Sequence, residues 1–443
     1  MNLKKIAFTV LATGNILLTA NAACPSWSDS LGTREGKEAC GLNDEQAYSG
    51  DLLFTSDKLW VLQGGVFIGG DNTAKGTLTI EPGTKIIGNK GADFLVISRG
   101  SQIFAEGTQS APIVFTTGNV GNTSRGQWGG LILNGNAPIN TCGTYSSATP
   151  CEATGEGPGA KGTGVYGGNN PADNSGVLKY VRVEFAGFEV SPDNELNGIA
   201  FQGVGNGTLV DYIQVHKNSD DGVEFFGGTV DIKHVLLTGN KDDSLDWTSG
   251  WVGRAQFIII DQFADAANNG IEADNLKSPM DASPRSNPIL SNVTILATTG
   301  DAAKGGSNLL LRKGSAVEFQ NSVFTTSKKG CIDIDDLATA ESGLALFIGN
   351  FTYCKRAFEA EAGESWNVGE DFFTLENFNV QQSLQRGKPF NGYVPLMEEL
   401  TNLGDVTPFG PRHGTWFTAV DYAGAVKDAQ DNWYKGWTNL SRN

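Results

Sequence analysis

Acidic residues recur at one place in a short repeated phrase of this sequence, and such a series could hold a cation or act on a glycosidic bond. The phrase consists of Asn or Asp, a Gly or Ser, an apolar residue, a variable residue and a further apolar residue. Its four copies start at Asn197, Asp221, Asp243 and Asn269, at steps of 24, 22 and 26 residues. The variable position of the last three copies forms a series that we call the acidic ladder: Glu224, Asp246 and Glu272.

Stacking of these side chains has an electrostatic cost. If successive copies pair as neighbouring strands, the carboxylates lie about 5 Å apart. Two negative charges at that distance repel by about 0.8 kcal/mol in water and by roughly 3 kcal/mol at an effective dielectric constant of about 20. A Ca²⁺ ion, which takes roughly six to eight oxygen ligands, would remove this repulsion. The alternatives are a carboxylate pair for glycoside chemistry, and a solvated row in which the turn Asp residues bond local backbone amides.

Further acids flank the ladder at the turns between strands. Asp274 follows the last copy, and Asp333 could extend the row in the phrase that begins at Gly330. Carboxylate oxygens are the ligands that Ca²⁺ prefers. The predicted calcium ligands are Asp220, Asp221, Glu224, Asp242, Asp243, Asp246 and Glu272.

An enzyme built on the same residues is a second hypothesis. A polysaccharide lyase would need an Arg base beside a Ca²⁺ cluster, and Arg182, Arg254 and Arg312 are candidates by position. The stretch from Asn218 to Gly222 has a slight likeness to polygalacturonase motifs, but the Gly-His-Gly and Arg-x-Lys elements of that family are missing. The sequence therefore favours a non-catalytic protein. If the protein is an enzyme, the predicted catalytic set is Glu224, Asp246, Glu272 and Arg254.

Two aromatic residues lie close to the ladder in sequence. Trp247 follows Asp246 directly, and Trp251 comes four residues later. Aromatic rings beside acids suit stacking on a sugar ring, so Trp247 and Trp251 are candidate glycan contacts. Rows of aromatic side chains also fill the interiors of β-helices, and we favour this second interpretation.

The repeat predicts the architecture that positions these residues. A period in the low twenties, with turn residues at fixed places, is typical of a solenoid. Apolar strands follow each copy at similar spacing, for example at 180–183, 212–215, 234–237 and 257–260. We therefore expect an all-β, right-handed parallel β-helix.

Several phrases resemble a family of secreted bacterial right-handed β-helix proteins with a pectate-lyase-like architecture. They are Thr79-Ile80-Glu81-Pro82-Gly83-Thr84, then Ala105-Glu106-Gly107-Thr108, Pro112-Ile113-Val114-Phe115-Thr116 and Gly126-Gln127-Trp128-Gly129-Gly130. The ending Val420-Asp421-Tyr422-Ala423-Gly424-Ala425, followed by Trp433 and Gly436-Trp437-Thr438, resembles the end of the same family. The resemblance covers nearly the whole mature chain. It implies the fold and export, and it implies no particular activity.

Interruptions of the pattern suggest a domain plan. Residues 23–50 lack periodicity and are predicted to cap the first coil, because an open strand edge invites aggregation. The β-helix is expected over 51–355, with a Gly/Pro-rich insertion at 136–176. Residues 356–443 are expected to form a C-terminal capping segment.

The N-terminus predicts export. Lys4 and Lys5 precede an apolar run, and Ala20-Asn21-Ala22 fits a signal-peptidase site, so residues 1–22 are predicted to be a signal peptide. A lipoprotein is the alternative, but Asn21 occupies the place where a lipobox has a large aliphatic residue. Six cysteines in an oxidising compartment indicate disulfides, and sequential pairing is the simplest of fifteen possibilities. The cysteines are Cys24, Cys40, Cys142, Cys151, Cys331 and Cys354.

The charge limits the partners. A net charge of −17 argues against nucleic acid and acidic membrane surfaces, and against acidic polysaccharides unless a divalent cation bridges the two surfaces. Beyond the signal peptide no run of apolar residues is long enough to span a membrane. The sequence therefore predicts a secreted or cell-surface protein, with the periplasm as an alternative, that binds a glycan or surface partner through an acidic, calcium-loaded face. A calcium-dependent lyase or hydrolase and a purely structural surface protein are the alternatives.

Overall fold

The structure is a computed structural model. It describes residues 23–44, 46–159, 161–192, 194–298, 305–360, 363–382, 389–401, 403 and 414–442. The predicted signal peptide, residues 1–22, lies outside the described residues.

Short strands account for nearly all of the regular structure. In chain order the first half comprises β1 (Asp29–Arg34), β2 (Lys37–Asn43), β3 (Ala47–Tyr48), β4 (Gly50–Phe54), β5 (Lys58–Gln63), β6 (Gly65–Ile68), β7 (Gly76–Ile80), β8 (Lys85–Gly88), β9 (Phe94–Ile97), β10 (Gln102–Glu106), β11 (Ile113–Thr117), β12 (Leu131–Asn134), β13 (Ala153–Thr154), β14 (Val165–Tyr166), β15 (Gly176–Glu184), β16 (Glu189–Ser191) and β17 (Asn194–Glu195).

The second half continues with the same short strands. It comprises β18 (Ile199–Gln202), β19 (Leu209–His216), β20 (Val223–Phe226), β21 (Asp231–Thr238), β22 (Leu245–Thr248), β23 (Arg254–Asp261), β24 (Ile271–Asp274), β25 (Ile289–Leu296), β26 (Leu309–Arg312), β27 (Val317–Gln320), β28 (Val323–Thr325), β29 (Ile332–Ile334), β30 (Ala345–Ile348), β31 (Phe351–Tyr353), β32 (Val380–Gln381), β33 (Phe390–Asn391) and β34 (Val394–Pro395). The described helical segments are α1 (Leu337–Glu341), a π-helical turn (Val368–Phe372) and two 3₁₀ turns (Leu375–Asn377 and Glu398–Leu400).

Most strands belong to two long sheets, one of eighteen strands and one of ten. From coil to coil the strands pair in parallel. In the ten-stranded sheet Ile199 pairs with Val223, Val223 with Leu245, and Leu245 with Ile271. These steps are the steps of the repeated phrase, so the repeat sets the register. The predicted parallel β-helix is confirmed.

Alternation along each strand separates the interior from the outer face. In β20 the side chains of Val223 and Phe225 are buried, and those of Glu224 and Phe226 are partly exposed. The strands β22, β24 and β26 repeat this pattern, because successive residues of a strand point to opposite faces. The interior is one apolar column in which like residues stack; for example, the Phe225 ring lies 5.3 Å from Phe201 and 3.8 Å from Trp251.

The longer strands of the eighteen-stranded sheet bend at a residue with positive φ. These residues occupy equivalent places in successive coils, and the strand pairing resumes on either side of them. Positive φ is uncommon for residues other than Gly, so the series marks a corner that every coil repeats. Its members are Tyr180, Tyr212, His234, Phe257 and Asn292.

The segments outside the regular coils have different placements. The strands β1 and β2 form an antiparallel hairpin, and β2 already pairs in parallel with β5. The insertion at 136–176 includes the antiparallel pair β13–β14. At the C-terminal end, Val368, Phe372 and Phe373 join the apolar column. Residues 414–442 contact the side of the eighteen-stranded sheet through side chains as far apart as Arg182 and Asn292, so this part of the predicted capping segment lies along the solenoid.

The cysteines form three disulfides in the sequential pairing, Cys24–Cys40, Cys142–Cys151 and Cys331–Cys354. The predicted disulfides are therefore confirmed, and they fit an extracellular or periplasmic protein. No helix in the described part of the chain is long and apolar enough to cross a membrane.

The stacked interior predicts a large loss of stability when one ring is removed. We expect Phe225→Ala to lower the free energy of unfolding by about 3–5 kcal/mol, because it deletes a buried ring and leaves a cavity. Denaturant unfolding followed by tryptophan fluorescence measures this. The matched control is Phe378→Ala, whose ring is 69% exposed; an equal loss in both variants would contradict the stacked column as the main source of stability.

Candidate functional site

The acidic ladder lies on the outer face of the ten-stranded sheet. Glu224 on β20 pairs with Asp246 on β22, and Asp246 pairs with Glu272 on β24. Leu310 on β26 occupies the next place in the row, and Asp333 on β29 comes after it. Asp333 therefore lies in the same row, but an apolar residue separates it from the three consecutive acids.

The same row is apolar in the coils that precede Glu224. Val96, Ile132 and Ala200 occupy the equivalent places and pack against Leu196, beside the β16–β17 hairpin. The outer face of one sheet thus changes from a covered apolar half to an acidic half at Glu224.

The turn acids link successive coils. Asp221 Oδ1 accepts a hydrogen bond from the backbone N–H of Asp243 at 2.9 Å, and Asp243 Oδ1 accepts one from Asn269 N–H at 2.5 Å. Asn269 Oδ1 continues the series by accepting from Ser307 N–H at 3.0 Å. The turn Asp residues therefore do accept hydrogen bonds from backbone amides, but these amides belong to the next coil and not to the same turn. Each of these hydrogen bonds uses one oxygen, Oδ1, of the Asp221 or Asp243 carboxylate.

Carboxylate oxygens of the turn acids and of the ladder come together in two groups. In one group are Asp221, Glu224 and Asp246, and in the other are Asp243, Asp246 and Glu272. Within each group one oxygen from each residue lies within 4.8 Å of the others. Asp246 belongs to both groups, and its Oδ1 is buried without a hydrogen-bond partner among the described residues. Asp220 and Asp242, which the sequence also suggests as ligands, belong to neither group.

Amides and one guanidinium partly compensate the negative charge. Asn197 Nδ2 donates to Glu224 Oε2 at 2.5 Å, and Asn269 Nδ2 donates to Glu272 Oε2 at 3.2 Å. Arg312 on β26 forms ion pairs with Glu272 and, at 2.8 Å, with Asp274. The Asn197 side chain is 4% exposed, and its Oδ1 has no hydrogen-bond partner in the described structure. Since this oxygen belongs to the same amide as Nδ2, it lies at the edge of the first group.

The environment opposes ionisation of these acids. Burial raises the pKa of Glu224, of Asp221, of Asp243 and of Asp246 well above the ordinary range, and the neighbouring carboxylates raise it further. Burial, followed by the charges of Asp242 and of two Glu residues, raises the pKa of Asp220 to about 7. The folded environment therefore favours the protonated form of these carboxyls over the ionised form.

Two further residues, Tyr166 and Glu156, border the site and were missed by sequence reasoning. Tyr166, on β14 of the insertion, places its ring 6.1 Å from that of Phe226, and burial together with the charge of Glu224 raises its pKa. Partial desolvation and the charge of Glu195 raise the pKa of Glu156 to about 7. The insertion and the β16–β17 hairpin thus add groups to the rim, and no periodic signal in their sequence indicates this.

Of the three candidate arginine bases, Arg182 and Arg254 do not contact the ladder, whereas Arg312 does. Arg254 is on β23 of the eighteen-stranded sheet and pairs with Asp231 at 2.5 Å, and Arg182, on β15 of the same sheet, pairs with Glu184 at 3.0 Å. The predicted catalytic set of Arg254 with the three ladder acids is therefore corrected, because these residues lie on different sheets. Arg312 does reach the ladder, and hydrogen bonding to Asp274 and the charge of Glu272 outweigh its desolvation and raise its pKa.

The glycan-stacking alternative for Trp247 and Trp251 is contradicted, and the interior packing that the sequence favoured agrees with the structure. Both side chains are 0% exposed and belong to the interior column. Trp247 Nε1 donates to Ser315 Oγ at 3.0 Å, and Trp251 Nε1 donates to Val230 O at 3.1 Å. The alternation of side chains along a strand explains the burial of Trp247, because this residue lies two positions after the buried Leu245 and points to the same face.

Comparison with known protein families agrees with this architecture. Residues 46–384 match the family model described as a pectate-lyase-like β-helix domain. The chain belongs to this family. No curated protein and no solved structure matches the chain. The matched residues include the whole acidic ladder of this β-helix domain and end before residue 414.

The raised pKa values predict an unusual pH dependence for the metal-free protein. Free Asp and Glu carboxyls have a pKa of about 4. In the folded protein, burial and neighbouring negative charges raise the pKa of Asp220 to about 7, and they also raise the pKa values of the ladder acids. At a pH between the unfolded-state and folded-state pKa values, these carboxyls bind more protons in the folded protein than in the unfolded chain. They therefore lower the free energy of unfolding as the pH rises. In EDTA we expect the melting temperature to fall by a few degrees from pH 5 to pH 8.

The matched comparison uses Asp246→Asn, which removes the charge shared by both groups. Its melting temperature in EDTA should fall less over the same pH range. A wild-type melting temperature that rises steadily to pH 8, or identical profiles for the two proteins, would contradict the assigned electrostatics.

Proposed function

We propose that this protein is an exported β-helix protein that binds Ca²⁺ on its acidic ladder and uses the loaded face to bind a glycan or a cell-surface partner, without catalysing a reaction. The observation that carries the proposal is the position of Asp246. This residue belongs to both carboxylate groups, and its buried Oδ1 has no hydrogen-bond partner among the described residues.

The chemistry of the ligands supports calcium. Both groups consist of carboxylates only, and hard oxygen ligands suit Ca²⁺ and Mg²⁺. Mg²⁺ demands near-ideal octahedral geometry and retains its water, whereas Ca²⁺ tolerates irregular arrangements. Since the β-helix register fixes the positions of these side chains, the more tolerant ion is favoured.

A bound cation would also change what the face can bind. The metal-free surface repels acidic polysaccharides, because the chain carries a net charge of −17. A Ca²⁺ ion held by the protein retains coordination positions for carboxylate or hydroxyl oxygens of a ligand. The insertion and the β16–β17 hairpin border one side of the ladder, which would give such a ligand a defined orientation.

The arginines support binding over lyase chemistry. A base must lose its proton before it can accept one from the substrate. The acids beside Arg312 raise its pKa and so favour the charged form, and Arg254 lies on the other long sheet. These features favour a binding protein over the alternative calcium-dependent lyase.

Export rests on two observations of different kinds. The sequence begins with a basic and apolar segment that ends in Ala20-Asn21-Ala22. The mature part carries three disulfides, which persist in oxidising compartments.

Calcium binding predicts a ligand-dependent gain in stability. At a Ca²⁺ concentration of about one hundred times the dissociation constant, the gain is about 2.7 kcal/mol. We expect millimolar Ca²⁺ to raise the melting temperature of the wild type relative to EDTA by several degrees. Asp246→Asn should abolish this rise while stabilising the protein in EDTA, because it removes repulsion.

The control variant is Asp51→Asn, which changes an exposed acid on β4 far from the ladder in the strand order. It should respond to Ca²⁺ as the wild type does. A response that survives in Asp246→Asn would place the ion elsewhere, and no response in the wild type would refute the cation site.

Glycan binding is tested separately with an array of acidic and neutral polysaccharides. We expect retention of an acidic polysaccharide that requires Ca²⁺ and is lost in Asp246→Asn but kept in Asp51→Asn. Release of unsaturated or reducing sugars during incubation would show an enzyme and contradict the non-catalytic proposal. Calcium binding without retention of any glycan would refute the glycan partner and leave a structural ion.

A further inference from the structure

Residues 414–442 form a segment, which we call the strap, on the outer side of the eighteen-stranded sheet. Side-chain amides from successive coils bind its backbone. Gln256 Nε2 donates to Thr418 O at 2.7 Å while Gln256 Oε1 accepts from Thr418 N–H at 2.8 Å. Gln214 makes the same pair of bonds with Asn439, at 2.6 Å and 2.7 Å. Asn292 Nδ2 donates to Tyr422 O at 2.9 Å.

An aromatic row lies next to these amides at the corner of the coils. The rings of Tyr180, Tyr212, His234 and Phe257 stack in series, with centroid distances of 4.5, 4.3 and 5.0 Å. Trp437 of the strap packs edge-on against Tyr180 at 5.5 Å and is 0% exposed. The surface under the strap therefore combines hydrogen bonds to the strap backbone with buried aromatic contacts, of which Trp437 is the most deeply buried, and buried aromatic anchors are a feature of binding hot spots.

The strap has an internal organisation of its own. Trp437 Nε1 donates to Trp433 O at 2.8 Å, and Trp433 Nε1 donates to Ala425 O at 2.9 Å. Lys427 N–H donates to Asp431 Oδ2 at 2.9 Å, and the Lys427 ammonium pairs with Asp421 at 2.8 Å. These bonds close loops within the strap and do not involve the β-helix.

The β-helix in turn does not use the strap for strand pairing. The strands β15, β19, β21, β23 and β25 pair with one another in an unbroken series. Among the described residues, one backbone-to-backbone hydrogen bond joins the strap to a coil, from Gly424 N–H to Asn321 O at 2.8 Å. The family match also ends at residue 384, before the strap begins. Loss of the strap would therefore leave the backbone ladder of the coils complete.

We propose that the strap is a dissociable ligand of the β-helix, and that the amide and aromatic face beneath it is a peptide-binding surface that can accept the strap of a second copy of this chain. The strap of a second copy can occupy this surface because it has the same side chains and backbone groups that the surface contacts in the first copy. Native proteins open locally in contiguous cooperative units, and the strap is one continuous segment with its own internal hydrogen bonds.

The experiment uses the full mature chain with a protease recognition sequence placed within residues 404–413. The folded protein is cut and then mixed with a fluorescent synthetic peptide of residues 414–442. We expect the cut strap to co-elute with the β-helix in gel filtration, and the labelled peptide to replace it over time. A peptide with Trp437→Ala should bind at least tenfold more weakly, and the control peptide with Leu440→Ala, whose side chain is 46% exposed, should bind as well as the wild type.

Three outcomes would overturn the proposal. The strap is an integral part of the fold if cutting unfolds the β-helix, or if the bound strap never exchanges with the peptide. It is no ligand if the cut strap separates and the peptide fails to bind. Hydrogen exchange on the uncut chain provides a second readout, in which the amides of Thr418 and Asn439 should open together and before those of β19 and β23. Opening only with the core would also overturn the proposal.

Discussion

Parallel pairing between successive coils is the constraint on which the rest of the structure depends. Strands in register lie about 4.8 Å apart, so any residue type that recurs at one place in the repeat is stacked on its own kind. For apolar and aromatic residues this stacking stabilises the fold, as in the contact of Phe225 with Trp251. For acids it is unfavourable, and the structure contains both cases on opposite faces of the same strands.

The turn acids beside the acidic ladder cannot move away to relieve the repulsion, because they also hold the coils together. Asp221 and Asp243 each use one oxygen to bind the backbone of the next coil. Replacing either would remove a buried link between coils, and keeping both leaves their carboxylates grouped with those of the ladder. The carboxylates are thus part of the scaffold, and their mutual repulsion follows from the scaffold's own register.

The sequence predicted those parts of the molecule that repeat. Steps of 24, 22 and 26 residues were sufficient to align Glu224, Asp246 and Glu272, because a parallel register follows directly from the repeat. The position of Arg254 was not predictable in this way, since a strand's apolar pattern does not tell which sheet of a coil it joins. Tyr166 belongs to an insertion without periodicity, and only the folded chain shows that it returns to the ladder. The strap is hard to place from sequence for the same reason, because it has no repeat and many of its hydrogen bonds to the coils come through its backbone.

The negative charge of the acidic ladder is neutralised more at one end than at the other. This difference would determine which of the two carboxylate groups a cation binds first. Arg312 pairs with Glu272 and Asp274, which lie at one end of the row. At the other end Glu224 receives a hydrogen bond from the neutral amide of Asn197, and the neighbouring charges that raise its pKa are all acidic. The group of Asp221, Glu224 and Asp246 therefore carries the larger uncompensated charge. A cation gains more electrostatic energy there than beside Arg312, whose positive charge would repel it. If the ladder binds cations as proposed, the group at Asp221 would be the stronger of the two sites, because Arg312 already neutralises part of the negative charge at the other end.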